Sequence, residues 1–424
     1  MSGPITRPGQ PASRHDRRRF GALDGVRGAA ALLVLLSHVG YETGRSFTGI
    51  FGGLLSRAEI GVTIFFVLSG FLLYRPYALN HLDGRPAPRT GRFFWRRAIR
   101  ILPAYWVLLL VISVTLHRQD ITPRIVAVDA LLVHIYQPGY LLDHLAQTWT
   151  LATEVSWYLL LPFIALALRR RPGRSDRAQL SVELTVVGAM IICSIGYAVV
   201  ARGTTALDPF VSGFWLPHYV GWFGVGMAFA VLQVWLDRNP GSRWSVLHDA
   251  GNALGTCWAV ALVLYLIAGN AVAGPRILVA SSTWEGLIRE GLYSGVAALL
   301  VLPCIFGDQG RGNVRAALAG PVGAYLGNIS YAVFLWHFPL KQWTFQATDT
   351  QPFSGHFWLN LVVLLVATLV VASASWYLLE RPVLRLKDWT PRFPPLRKRR
   401  EEPVQSSEAV ADTHATTSAP NAST

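Results

Sequence analysis

Ten long apolar stretches alternate with short arginine-rich breaks, and that pattern rules out a water-soluble fold for most of this chain. They fall at about 22–40, 60–79, 101–117, 147–168, 181–201, 213–236, 253–273, 287–306, 322–343 and 357–379. A helix needs roughly 20 such residues, at about 1.5 Å of rise each, to cross the hydrocarbon core. In lipid every backbone N–H and C=O must find its partner within the protein. The expected fold class is therefore an all-α integral membrane protein, a bundle of about ten transmembrane helices. Only 15% of the 424 residues are charged, against about a quarter in a soluble domain. Several stretches contain glycine or proline (Gly61, Gly70, Pro162, Pro217, Pro303, Pro339), which packed membrane helices tolerate.

The breaks carry the charge. In a soluble protein a net charge of +14 would suggest a nucleic-acid partner; here it marks sidedness. Alternate breaks hold 29 of the 38 lysines and arginines, and the intervening ones hold 8. That asymmetry predicts even parity with both termini cytoplasmic, in a multi-pass plasma-membrane protein that binds no nucleic acid. The expected organisation is a basic cytoplasmic segment at 1–19, a membrane domain at 20–388, and a basic, then disordered, cytoplasmic tail at 389–424. The N-terminal segment lacks a small-residue cleavage pattern and reads as retained. Cys193, Cys257 and Cys304 lie in apolar runs without metal or redox spacing, so neither a metal site nor a disulfide framework is expected.

Within this frame, ionisable groups inside the apolar stretches are the candidates for chemistry. The first stretch, FGALDGVRGAAALLVLLSHVG, holds Asp24, Arg27 and His38. Arg27 and His38 are eleven residues apart, within about 20° of three full helical turns, so they share a face roughly 16 Å apart along it. Snorkelling of Arg27 to a headgroup region is the simpler alternative. The sequence GRFFWRRAIRILPAYW, from Gly91, places Arg97 and Arg100 one turn apart where the third stretch begins. They form a fork suited to phosphate, although positive-inside charge explains most of their neighbours. Glu154 stands in QTWTLATEVSWYLLLP with no basic residue within a turn. A carboxylate there must face a cavity or a partner.

Other polar groups are candidates for substrate contact or support. Ser69 lies in GVTIFFVLSGFLLYRPY, and Ser330, Tyr331 and His337 lie in LGNISYAVFLWHFPL. On an ideal helix Ser330 and His337 share a face, while Tyr331 lies opposite His337. Glu380 and Arg381, before Pro382, read as a structural clamp at the cytoplasmic interface.

Together these motifs resemble the membrane acyltransferase 3 family. The matching residues are LDGVRG with Arg27 and His38 in an Arg-x10-His spacing, GVTIFFVLSGFLL, Arg97 and Arg100 as RxxR, WTLATEVSWY with Glu154, and ISYAVFLWH with His337. Thr150 and Trp157 stand where the family often has Ser and Phe. The likeness spans about residues 20–388, and no soluble esterase-like domain is expected after the bundle. It implies an O-acyltransferase that moves an acetyl or other short acyl group from acyl-CoA, a donor and not a bound cofactor. The acceptor would be a hydroxyl of an envelope glycan, glycolipid or secondary metabolite. His38 would be the general base, Glu154 would orient it or raise its basicity, Arg97 and Arg100 would bind the donor, and Arg27 would hold donor or fold. The rival readings are a transporter or flippase of a polar lipid or metabolite, which intramembrane charge also fits, and a non-catalytic subunit on the same fold.

Overall fold

The computed structural model describes residues 20–115, 122–137, 139, 143–203, 209–276, 281–310, 312–349 and 351–389. The basic segment at 1–19, and the tail from residue 390 onward, lie outside the described residues. Among those described there is no strand. Eight helices are long and apolar enough to cross a membrane, or ten when each of two bent pairs counts as one span.

The ten spans are α1 (Ala22–Glu42), α2 (Gly61–Asp83), α3 (Thr90–Thr115), α4 (Trp149–Ala167) and α5 (Asp176–Gly203), followed by α6 (Leu216–Arg238), α7 (Leu254–Ala268), α8 (Thr283–Ile305), α9 (Pro321–Ala347) and α10 (Phe357–Ser375). Each overlaps one expected stretch. Local chemistry sets several ends. Gly84, at φ 66°, closes α2 in the left-handed region that only glycine enters freely. Ser282 and Glu285 form a reciprocal capping box on α8. Pro217 proves to sit in the first turn of α6, not in its interior. Its missing N–H costs nothing there, because that donor has no intrahelical partner anyway.

The two bent pairs are the 243–252 segment with α7, at 86°, and the 313–319 helix with α9, at 48°. Such breaks leave backbone carbonyls without helical partners. Arg315 is buried among them and donates to the carbonyls of Pro303, Asp308 and Gly251. Arg57, equally buried, does the same elsewhere: its guanidinium reaches the carbonyls of Ala268 at 2.9 Å and Gly274 at 2.6 Å. These two charges hold broken backbone together and are not surface markers of sidedness.

Helix packing centres on two pairs, α2 against α6 and α1 against α9. The second pair comes close because Gly28 and Gly327 face across it. A Cβ on Gly28 would lie 2.6 Å from the Leu326 Cβ, and one on Gly327 would lie 2.5 Å from the Asp24 carbonyl. Small residues at a crossing let membrane helices gain dispersion contacts that lipid cannot supply. Between α2, α4 and α6 the rings of Phe66, Phe223 and Trp157 stack in series, with centroids 4.6 and 4.7 Å apart. Phe66 carries this stack to the wall of a cavity within the bundle.

Candidate active site

Five of the spans enclose a cavity of about 110 Å³. Along α2 it extends from Val62 to Leu73, about 16 Å of helix at 1.5 Å per residue. Arg27 reaches it from α1, Ser69 from α2, Arg97 and Arg100 from α3, Glu154 and Tyr158 from α4, and Ser330 and Tyr331 from α9. Charged and polar candidates that are scattered over three hundred residues of sequence therefore share one lining.

The three arginines are held differently. Arg27 is paired with Asp24, one turn earlier, at 2.5 Å. Its Nε is nevertheless buried with no hydrogen-bond partner, and so is the Nε of Arg97. Arg97 lies over the Tyr158 ring, 5.9 Å from its centroid, a contact that orients a guanidinium without using its N–H donors. Arg100 lines the same cavity, and its charge is felt by buried Glu380, five residues beyond α10. Glu380 accepts from Ser375 at 3.1 Å. Arg96, between Arg97 and the aqueous breaks, turns away and shares Asp388 with Arg92, at 2.8 and 2.7 Å. The two sets thus lie on different sides of α3, Arg92 and Arg96 on one and Arg97 and Arg100 on the other.

Glu154 accepts a short hydrogen bond from Ser69 and faces the Tyr158 hydroxyl. It does not touch His38, so the expected orienting contact is absent. His38 has a different partner: its Nδ1 lies 3.0 Å from Nε2 of His337 on α9. Neither histidine lines the arginine cavity. Phe334 stands between them, lining the cavity and lying 5.8 Å from the His337 ring. Ser330 donates to the Gly327 carbonyl at 2.8 Å, and Tyr331 donates to the Ile101 carbonyl at 2.9 Å. Both line the cavity, because it wraps around more of α9 than one helical stripe.

Two further groups at the site are not among the residues expected from sequence. Tyr158 is four residues after Glu154, the spacing that stacks side chains on one helix face. Glu42 and Lys341, each four residues beyond a histidine of the pair, form a second rung between α1 and α9. The signal for both is their position, one helical turn beyond a candidate residue.

The family model described as "Acyltransferase domain", acyltransferase 3, matches residues 20–378. Peptidoglycan O-acetyltransferase OatA of Listeria monocytogenes is 22% identical over 391 residues, covering 88% of this chain and 57% of that protein. Nodulation protein 10 of Rhizobium leguminosarum is 24% identical over 417 residues, covering 89% of this chain and 96% of that one. The chain spans little more than half the length of the first curated relatives it matches. No solved structure matches it. With eight to ten helices apolar enough to cross a membrane, an arginine-lined cavity and a family match over residues 20–378, this chain belongs to the membrane acyltransferase 3 family.

Proposed function

We propose that this protein is a plasma-membrane O-acyltransferase that moves a short acyl group from acyl-CoA to a hydroxyl of an envelope glycan, glycolipid or secondary metabolite. The observation that carries this is the convergence of Arg27, Arg97 and Arg100 on one cavity, two of them with buried, unpartnered Nε donors. Buried guanidinium donors without partners are costly, and an anionic ligand removes that cost. Phosphates of coenzyme A are such anions, and the planar arginine fork suits them. The cavity has room for phosphate groups but not for a whole coenzyme A, so the adenosine end lies outside it, toward the arginine-rich breaks, and the acyl end points toward His38. One relative supports the acceptor class by name, as a peptidoglycan O-acetyltransferase.

In the reaction the acceptor hydroxyl gives its proton to His38 as its oxygen bonds to the thioester carbonyl carbon. The C–S bond then breaks, and the departing thiolate takes the proton back from His38. Arg27 and His38 are separated by about 16 Å along α1. The arm that joins phosphate to thiol in coenzyme A is of the same order, so arginines and base can serve opposite ends of one donor.

The test is His38→Gln, which retains hydrogen bonding and bulk but accepts no proton near neutral pH. Labelled acetyl-CoA is supplied to membranes, and acetyl incorporation into envelope and secreted material is followed. The variant should insert at normal abundance and lose about 10²–10⁴-fold in turnover. Wild-type turnover in the variant removes the base from His38. An unmodified substrate moved across the membrane, with no acyl product even from the wild type, would establish a transporter instead.

A further inference from the structure

The histidine pair carries information about protons that the sequence alone cannot supply. His337 is fully buried on α9, and its Nδ1 lies 2.7 Å from the Phe334 carbonyl and 3.1 Å from the Val333 carbonyl. A carbonyl oxygen has no proton to give, so Nδ1 of His337 must be the N–H. A neutral imidazole has only one ring proton, which leaves Nε2 of His337 as a bare acceptor. The atom facing that lone pair, 3.0 Å away, is Nδ1 of His38. Two bare nitrogens would repel at this distance, so His38 carries its proton on Nδ1. The Val34 carbonyl also stands beside this ring, and it too can only accept. The one remaining lone pair on His38 is therefore at Nε2.

We infer that His337 is a positioning residue that fixes the tautomer of His38, presenting Nε2 as the proton acceptor for the acyl-transfer reaction. This rests on the reading of His38 as the general base. The arrangement is that of a base oriented by a third group, with the orienting acceptor being a second imidazole instead of a carboxylate. The ring is also held mechanically: the Phe338 ring meets it edge-on at 5.1 Å, and the His337 ring lies 24° from parallel. When His38 gains a proton its Nδ1–H becomes a charge-assisted donor, so the bond to His337 strengthens as the reaction proceeds. The other charged groups beside the pair are Lys341 and Glu42, one turn on, and they are hydrogen-bonded to each other. His337 thus faces His38 with neither a carboxylate nor a cation between them.

Two measurements test this. The first uses the wild-type protein in lipid bilayers with ¹⁵N-labelled histidine, the His38 signals being assigned by their absence from His38→Gln. Nitrogen shifts should show a protonated Nδ1 and a bare Nε2 on His38; the reverse tautomer overturns the proposal without reference to any assay of activity. The second compares His337→Leu, which removes the acceptor, with His337→Gln, whose amide oxygen can still accept from Nδ1–H. With labelled acetyl-CoA as the probe, His337→Leu should lose about 10²-fold in kcat with an unchanged KM for acetyl-CoA, and His337→Gln should recover most of that loss. Normal kcat in His337→Leu, or equal loss in two normally inserted variants, rejects the positioning role. If the wild type itself transfers no acyl group, it is the proposed function that fails, while the tautomer measurement still decides the geometry.

Discussion

At the scale of single residues, partners separate the roles. Arg97 and Arg57 are both arginines in the membrane domain, yet Arg57 gives its donors to backbone carbonyls and Arg97 keeps its Nε unpaired in the cavity. Replacing Arg97 or Arg100 with lysine keeps the charge and loses the planar fork. Each substitution should raise the KM for acetyl-CoA by about 10-fold or more, the worth of one charge-assisted hydrogen bond, while abundance in the membrane stays normal. Arg97→Ala and Arg100→Ala remove the charge as well, and an unchanged donor KM in both would remove the donor site from this pair. Glu154 calls for a different experiment, because its hydrogen bond is to Ser69 and not to the histidines. Glu154→Gln should lower kcat and leave insertion intact; a protein lost from the membrane would show that the carboxylate serves packing alone.

The elements decide what a residue's neighbours can be. Arg97 and Arg100 reach the cavity from the first half of α3, a helix that continues through Pro103. The link between α3 and α4 holds a separate device, where Asp129 and His134 are wholly buried with Nδ1 and Oδ1 3.2 Å apart. Burial pushes the Asp129 carboxyl up to about 7 and the His134 imidazole down to about 4. Both shifts have burial as their largest cause, which disfavours the charged form of each group. A carboxyl raised on folding stabilises fully below its unfolded value, near 4, and that contribution disappears as pH rises through about 7. His134 works in the other direction, contributing fully above about 6.5 and losing it as pH falls through about 4. Hydrogen exchange over 123–136 should therefore quicken from pH 6.5 to pH 8 beyond the intrinsic pH effect. In Asp129→Asn that excess should vanish, and its persistence would show that another group titrates.

On the scale of the whole molecule, the prediction is sidedness. Cysteine is introduced at Ala87, between α2 and α3, and at Ser354, between α9 and α10; both positions are exposed. The native Cys193, exposed on α5, is first replaced by alanine. A membrane-impermeant thiol reagent added outside intact cells should label the Ser354 site and spare the Ala87 site. Labelling of both from outside would sink the even-parity arrangement. The chain by itself determined that the fold is helical and membrane-spanning, where the eight to ten apolar helices run, and which residues are costly enough to need a partner. Those properties arise from apolar length and from the unfavourable energy of charge in lipid, and both are local in sequence. Partnership is not local. That Arg315 and Arg57 brace broken backbone, that Glu154 meets Ser69, and that His38 meets His337 across 299 positions of chain were decided by tertiary structure. Glycines such as Gly28 and Gly327 let α1 and α9 close to within hydrogen-bonding reach, and a helical period describes one helix, not the face of its neighbour.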